Sequence, residues 1–194
     1  MVLLAAVVAL TVVSDARTPV PPLKIDVVAA PTVTRTLLDA AVEEVDAIWN
    51  SAGVTFEWRR ARTRAMTDAS LTVSMEDAAP PVARGSALGW IRFTGRVPDT
   101  TIHLSRANAI ELLLRFESIR EKPMVFQERM LGRALGRALA HELGHYLLRS
   151  TAHSPGGLMR AVRPSPQFFS VERIGFDIST EEREAVRALL ACSG

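Results

Sequence analysis

A chain of 194 residues is long enough for one domain with a proper core and too short for two comfortable ones. Its apolar content of 48% and charged content of 23% are those of an ordinary globular domain. The net charge is only +2, and the basic residues, all arginine except Lys24 and Lys122, are scattered without a run. That distribution argues against a nucleic-acid partner.

The chain opens MVLLAAVVALTVVSDARTP, with an apolar run from Val2 to Val13. The run is too short to span a bilayer as a helix, so no stable membrane insertion is expected, but it suits the core of a secretory signal. Ser14 and Ala16 supply a small-x-small cleavage pattern, with Arg17 as the first mature residue. No Lys or Arg precedes the run, and a buried first strand is the competing reading. The expectation is a signal peptide over residues 1–16 and a secreted or periplasmic product, residues 17–194, forming a single domain. The one cysteine, Cys192, cannot form an internal disulfide, so the core must hold the fold.

PVPPLK (19–24) reads as a stiff connector, and KIDVVAA (24–30) as a first strand. Thr34 to Ser51 reads as a helix, with Leu37, Leu38, Ala41, Val42, Val45 and Ile48 on one face and Gly53 just past its end. VTFEWR (54–59) and LTVSM (71–75) alternate as strands, and 79–82 is a Pro-rich loop. GWIRF (89–93) and TTIHLS (100–105) are two further strands around a turn with Gly95 and Pro98. Asn108 to Phe116 reads as a short helix.

From Phe126 to Leu148 the period is helical throughout, with Met130, Leu131, Ala134, Leu135, Ala138 and Leu139 in one stripe. Gly132, Gly136 and Gly144 in this helix imply close approach by another backbone. Residues 149–170 lack regular periodicity. Ser179 with Glu182 three residues later forms a capping box opening a last helix to Ala191. The fold class is α+β: a mixed twisted sheet of about five strands with an N-terminal helix, a long helix and a C-terminal helix.

The chemistry lies in HELGHYLLRSTAHSPGGLMR, residues 141–160. His141 and His145 are one helical turn apart, so their rings project from one face and can share a metal ion. Three of the chain's four histidines fall between 141 and 153. Zinc suits nitrogen ligands and keeps an open position when only three come from protein. Such a site acidifies a bound water and polarises a carbonyl, with Glu142 beside it to take and return the proton.

HELGH, a histidine shortly after and then Gly-Leu-Met resemble the metzincin clan of zinc metalloproteases, and most of all its matrixin-type members. The resemblance implies that His141, His145 and His153 hold Zn2+, that Glu142 is the general base, and that Met159 forms the methionine turn beneath the metal. It also implies an upper subdomain (about 24–148) and a lower one (about 149–194), with ALGWIRF (87–93) as the substrate-binding edge strand. It covers most of residues 24–191, strongly at the zinc motif and weakly elsewhere.

Three departures stand out. In the clan pattern HExxHxxGxxH the third histidine comes two residues sooner, and Leu148 stands where the glycine belongs. Without glycine the tight left-handed turn is expected to be lost and the helix to run on. The residue after the turn methionine is Arg160, and the only tyrosine is Tyr146, so oxyanion stabilisation falls to metal, backbone or an arginine. No cysteine precedes the catalytic helix to cap the metal in a latent precursor.

The expected activity is zinc-dependent endopeptidase action on protein or peptide substrates, by a monomer. Two alternatives stay open. One is a gluzincin-like peptidase whose third ligand is a downstream carboxylate, from among Glu172, Asp177, Glu181 and Glu182, a group that also fits helix capping and surface charge. The other is a non-catalytic domain whose zinc is closed by a fourth ligand. His103 is expected to be a packed or edge residue, Trp49 and Trp58 core, and Trp90 core or the lining of a subsite. Met159 also fits a plain core role.

Overall fold

Alternation along the strands sorts their side chains onto two faces. In the computed structural model, which describes residues 21–61, 71–78, 85–116 and 119–191, β1 (Leu23–Ala29), β2 (Phe56–Ala61), β3 (Leu71–Glu76), β4 (Gly89–Thr94) and β5 (Val97–Ser105) form one sheet in the order β2-β1-β3-β5-β4. The first four strands in that order are parallel; β4 joins antiparallel at the edge. Val27, Val73, Ile102 and Ile91 lie in one cross-strand row, and Ala29, Met75, Leu104 and Gly89 in another. These rows face the helices and make the core. The leader expected at 1–16, the loop at 79–82 and Cys192 lie outside the described residues.

Helix α1 (Arg35–Trp49) starts at Thr34, whose hydroxyl accepts from the Leu37 amide, and ends in a turn at Asn50–Ala52 closed by Gly53 at φ 76°. Helix α2 (Arg106–Leu114) is capped by Ser105. Both begin close to where the residue pattern sets them. The hairpin between β4 and β5 is tighter than expected: Thr94 pairs with Val97 around Gly95 at φ 63°. Pro98 therefore sits inside β5 rather than in the turn.

The long helix α3 (Met124–Leu148) runs through the interior against α1 and the sheet. Its glycines explain how close it comes. A Cβ at Gly132 would lie 2.4 Å from the Leu37 carbonyl oxygen, and one at Gly136 2.6 Å from that of Ala41. The α1–α3 contact is thus backbone on backbone, as the glycine pattern implies.

After α3 the chain is irregular apart from α4 (Ser165–Phe169), a short helix not foreseen, and α5 (Thr180–Ala191). The capping box at α5 is present in both halves: the Glu182 amide donates to the Ser179 hydroxyl at 3.1 Å, and the Ser179 amide to the Glu182 carboxylate at 2.9 Å. Among the described residues no helix is long and apolar enough to cross a membrane.

Candidate metal centre

The last two turns of α3 bring His141 and His145 to the same side, with ring centroids 4.7 Å apart. The chain then leaves the helix through a left-handed residue, Arg149 at φ 48°, ψ 41°. The Arg149 amide donates to the Tyr146 carbonyl and the Ser150 amide to the His145 carbonyl, the paired bonds of a Schellman stop. The tight left-handed turn is therefore not lost with the glycine; it moves one residue on and falls on an arginine.

That stop turns residues 150–153 back toward the helix. His153 stacks on His141 with centroids 5.3 Å apart, and meets His145 edge-on at 4.9 Å. One potential ligand atom from each of the three rings lies within 4.8 Å of the others. Among the described residues no carboxylate or fourth histidine joins this group. Glu172 instead bonds the Ser170 hydroxyl, Glu182 bonds Ser154 and Ser179, and the backbone oxygen of Asp177 accepts from the Leu158 amide. His103 lies away from the cluster, stacked on Trp90 at 5.1 Å and 3.1 Å from Glu76.

The hydrogen bonds of the two helix histidines set their chemistry. His141 Nδ1 lies 2.9 Å from the Leu158 carbonyl oxygen, and His145 Nδ1 2.7 Å from that of Ser150. A carbonyl can only accept, so each Nδ1 carries the proton and each Nε2 presents a lone pair. The two Nε2 atoms are 3.1 Å apart. Two lone pairs at that distance repel unless a cation lies between them, so the donor set fits a metal ion. Burial pushes the His141 pKa down to about 4, against the Leu158 hydrogen bond that favours the charged ring. Burial likewise lowers that of His145. Both rings are thus neutral, as ligands must be, at neutral pH.

Met159 packs against α3 at Gly144. Residues 157–160 form a turn in which the Arg160 amide donates to the Gly157 carbonyl, and the Ser154 amide donates to the Met159 carbonyl at 2.9 Å. A Cβ on Gly144 would fall 2.2 Å from the Met159 sulfur. The missing side chain at Gly144, between the two helix histidines, is what lets the methionine pack against α3.

Several arginines donate to the main chain of this lower segment, Arg133 to Phe169 among them; Arg163 and Arg137 make the most such bonds, and residue pattern gave no sign of either role. Arg163 donates to the carbonyls of Gly157, Leu158 and Gly175 and lies 4.1 Å over the Phe176 ring. Arg137, one turn before His141 and wholly buried, pairs with Glu44 of α1 at 2.7 Å and donates to the carbonyls of Gln167 and Glu172. Burial pulls its pKa down and the Glu44 carboxylate opposes that pull. Nothing around Arg137 marks it in the sequence, because pairing across 93 residues leaves no local trace.

A cleft of about 610 Å³ runs past the three histidines and is lined by Leu88, by Gly89–Ile91 of the edge strand and by residues 160–163. Glu142 lines it, largely buried, with its Cγ 3.3 Å from where a Gly89 Cβ would stand. Trp90 is buried, as a core residue would be, and lines the same cleft. Trp49 is core, its indole N–H donating to the Ala140 carbonyl at 3.2 Å. Trp58 is only partly buried and donates to Asp46.

No family profile matches the sequence, and no curated protein does. Among solved structures the chain is similar to archaemetzincin from Methanopyrus kandleri, with a TM-score of 0.54 at 15% identity over 88% of this chain and 96% of that one. In fold, the chain is an α+β protein of the archaemetzincin kind.

Proposed function

We propose that this chain is a zinc-dependent endopeptidase of metzincin type, matrixin-like in its methionine turn, exported after loss of residues 1–16 and acting as a monomer. The observation that carries the reading is the pair of neutral Nε2 atoms 3.1 Å apart, joined by His153 and flanked by Glu142 in a cleft bordered by an edge strand. His141, His145 and His153 would hold the zinc. When bound, zinc polarises a substrate carbonyl and acidifies a water molecule.

The rest is done by the chain. Glu142 accepts a proton from that water and passes it to the leaving amine. Among the described residues β4 has a partner, β5, on one side only, so its other edge can pair with an extended peptide and set the scissile bond over the histidines. Arg163 and Arg137 fix the turn and lower segment, so the third ligand and Met159 stay in register with α3. A structural zinc site would need a fourth ligand, and the described residues bring none to this group.

Replacing Glu142 with Gln or Ala tests the reading. The variant should bind zinc as the wild type does and lose peptide hydrolysis by a factor of roughly 100 or more. Hydrolysis at the wild-type rate would refute the assignment.

A further inference from the structure

Four guanidinium groups line the cleft, and three are committed elsewhere. Arg137 is paired with Glu44. Arg163 is held by three main-chain carbonyls and the Phe176 ring. Arg115 pairs with Glu111 at 3.0 Å on the same helix. Arg160 is exposed, lines the cleft, and its side chain has no hydrogen bond or ion pair with any described residue.

Arg160 nonetheless has a fixed place. Its amide is tied to Gly157, and its backbone bridges to Ser154, next to His153. It follows Met159 directly and stands on the wall facing Gly89 and Trp90. The like charge of Arg163 acts on it from the same wall. The carboxylates lining the cleft are Glu111, already paired, and Glu142, the proposed proton acceptor. Asp177 acts on Arg163 with the opposite charge, whereas no described carboxylate forms an ion pair with Arg160.

Resting on the peptidase reading, we propose that Arg160 binds a carboxylate of the substrate beside the scissile bond, an Asp or Glu side chain or a free C-terminus. A planar guanidinium can bind both carboxylate oxygens at once, which selects for geometry as well as charge. The enzyme then prefers acidic peptides, or trims peptides from a free end.

The test uses the full chain loaded with zinc and carrying Glu142→Gln, so that binding is read without cleavage. Fluorescence anisotropy compares peptides bearing Asp or Glu with their Asn or Gln isosteres, and free with amidated C-termini. The expected result is roughly tenfold tighter binding of the acidic member of one of these pairs. Which pair shows it identifies the carboxylate. Adding Arg160→Ala should bring the paired affinities within about threefold of each other, and Arg160→Glu should reverse the preference toward Lys-bearing peptides.

Equal affinities for all pairs would overturn the proposal, as would a preference that survives Arg160→Glu. So would a uniform loss of turnover for every peptide when Arg160→Ala is made with Glu142 intact, the mark of an oxyanion donor. Failure of the peptidase reading looks different: the chain with Glu142 intact would cleave none of the peptides, whatever their binding preference.

Discussion

Ser154, the residue after His153, donates its hydroxyl to Glu182 at 2.7 Å. Glu182 is also the carboxylate half of the α5 capping box. The closing helix is thereby fastened to the loop that carries the third histidine. Because that loop is two residues longer than the clan pattern, a tether from outside it has more freedom to remove.

Ser154→Ala cuts the tether and leaves the capping box whole. It should weaken zinc affinity by about tenfold, in the lower part of the range for outer partners of metal ligands. Ser179→Ala, which removes only the cap, should lower stability by about 1 kcal/mol and leave zinc affinity near wild type. Competition with a chromophoric chelator measures both. Ser154→Ala with unchanged affinity would show that the loop holds its shape without α5.

The strand order shows where local pattern stops. Alternation and helical period mark all five strands and the helices α1, α2, α3 and α5 to within a few residues, because each buries one face. Neither signal says that β1 sits between β2 and β3, since parallel pairing is decided by contacts far apart in sequence. The helix α4 is too short to show a period. The two helix histidines and Glu142 are legible because one turn of helix fixes their spacing. His153 is harder, because its approach depends on a left-handed stop at Arg149 that the residue type disfavours.

That stop carries strain. A non-glycine residue in the left-handed region costs about 1–2 kcal/mol, and Arg149 is the one non-glycine residue with positive φ among those described. Arg149→Gly relieves it, at some cost in the added freedom of the unfolded chain. The net gain should be roughly 1 kcal/mol, raising Tm by about 2–4 °C. A lowered Tm in thermal unfolding would contradict the left-handed assignment.

Gly→Ala inside an exposed helix normally gains about 1 kcal/mol. In α3 the sign should reverse. At Gly136 the new methyl would meet the Ala41 carbonyl at 2.6 Å, and at Gly144 the buried Met159 sulfur at 2.2 Å. Each should cost about 1–3 kcal/mol by denaturant unfolding. Gly144→Ala alone should also weaken zinc binding, since it displaces the methionine turn. Gly136→Ala at or above wild-type stability would mean that α1 and α3 are not in backbone contact.

Arg137 and Glu44 should show a coupled loss. Arg137→Met leaves Glu44 buried with, among the described residues, only Arg173 at 3.0 Å in an ion pair with it, and should cost about 3–5 kcal/mol. Arg137→Met with Glu44→Leu should cost less than the two single changes added together, by about 0.5–3 kcal/mol. Strict additivity in the double-mutant cycle would count against a shared buried pair.

X-ray absorption at the zinc edge of the zinc-loaded protein tests the central claim most directly. It should show three imidazole nitrogens at about 2.0–2.1 Å and one further light ligand from solvent, with one nitrogen lost in His153→Ala. A spectrum unchanged by His153→Ala, or a fourth ligand from the protein, would contradict a three-histidine catalytic site.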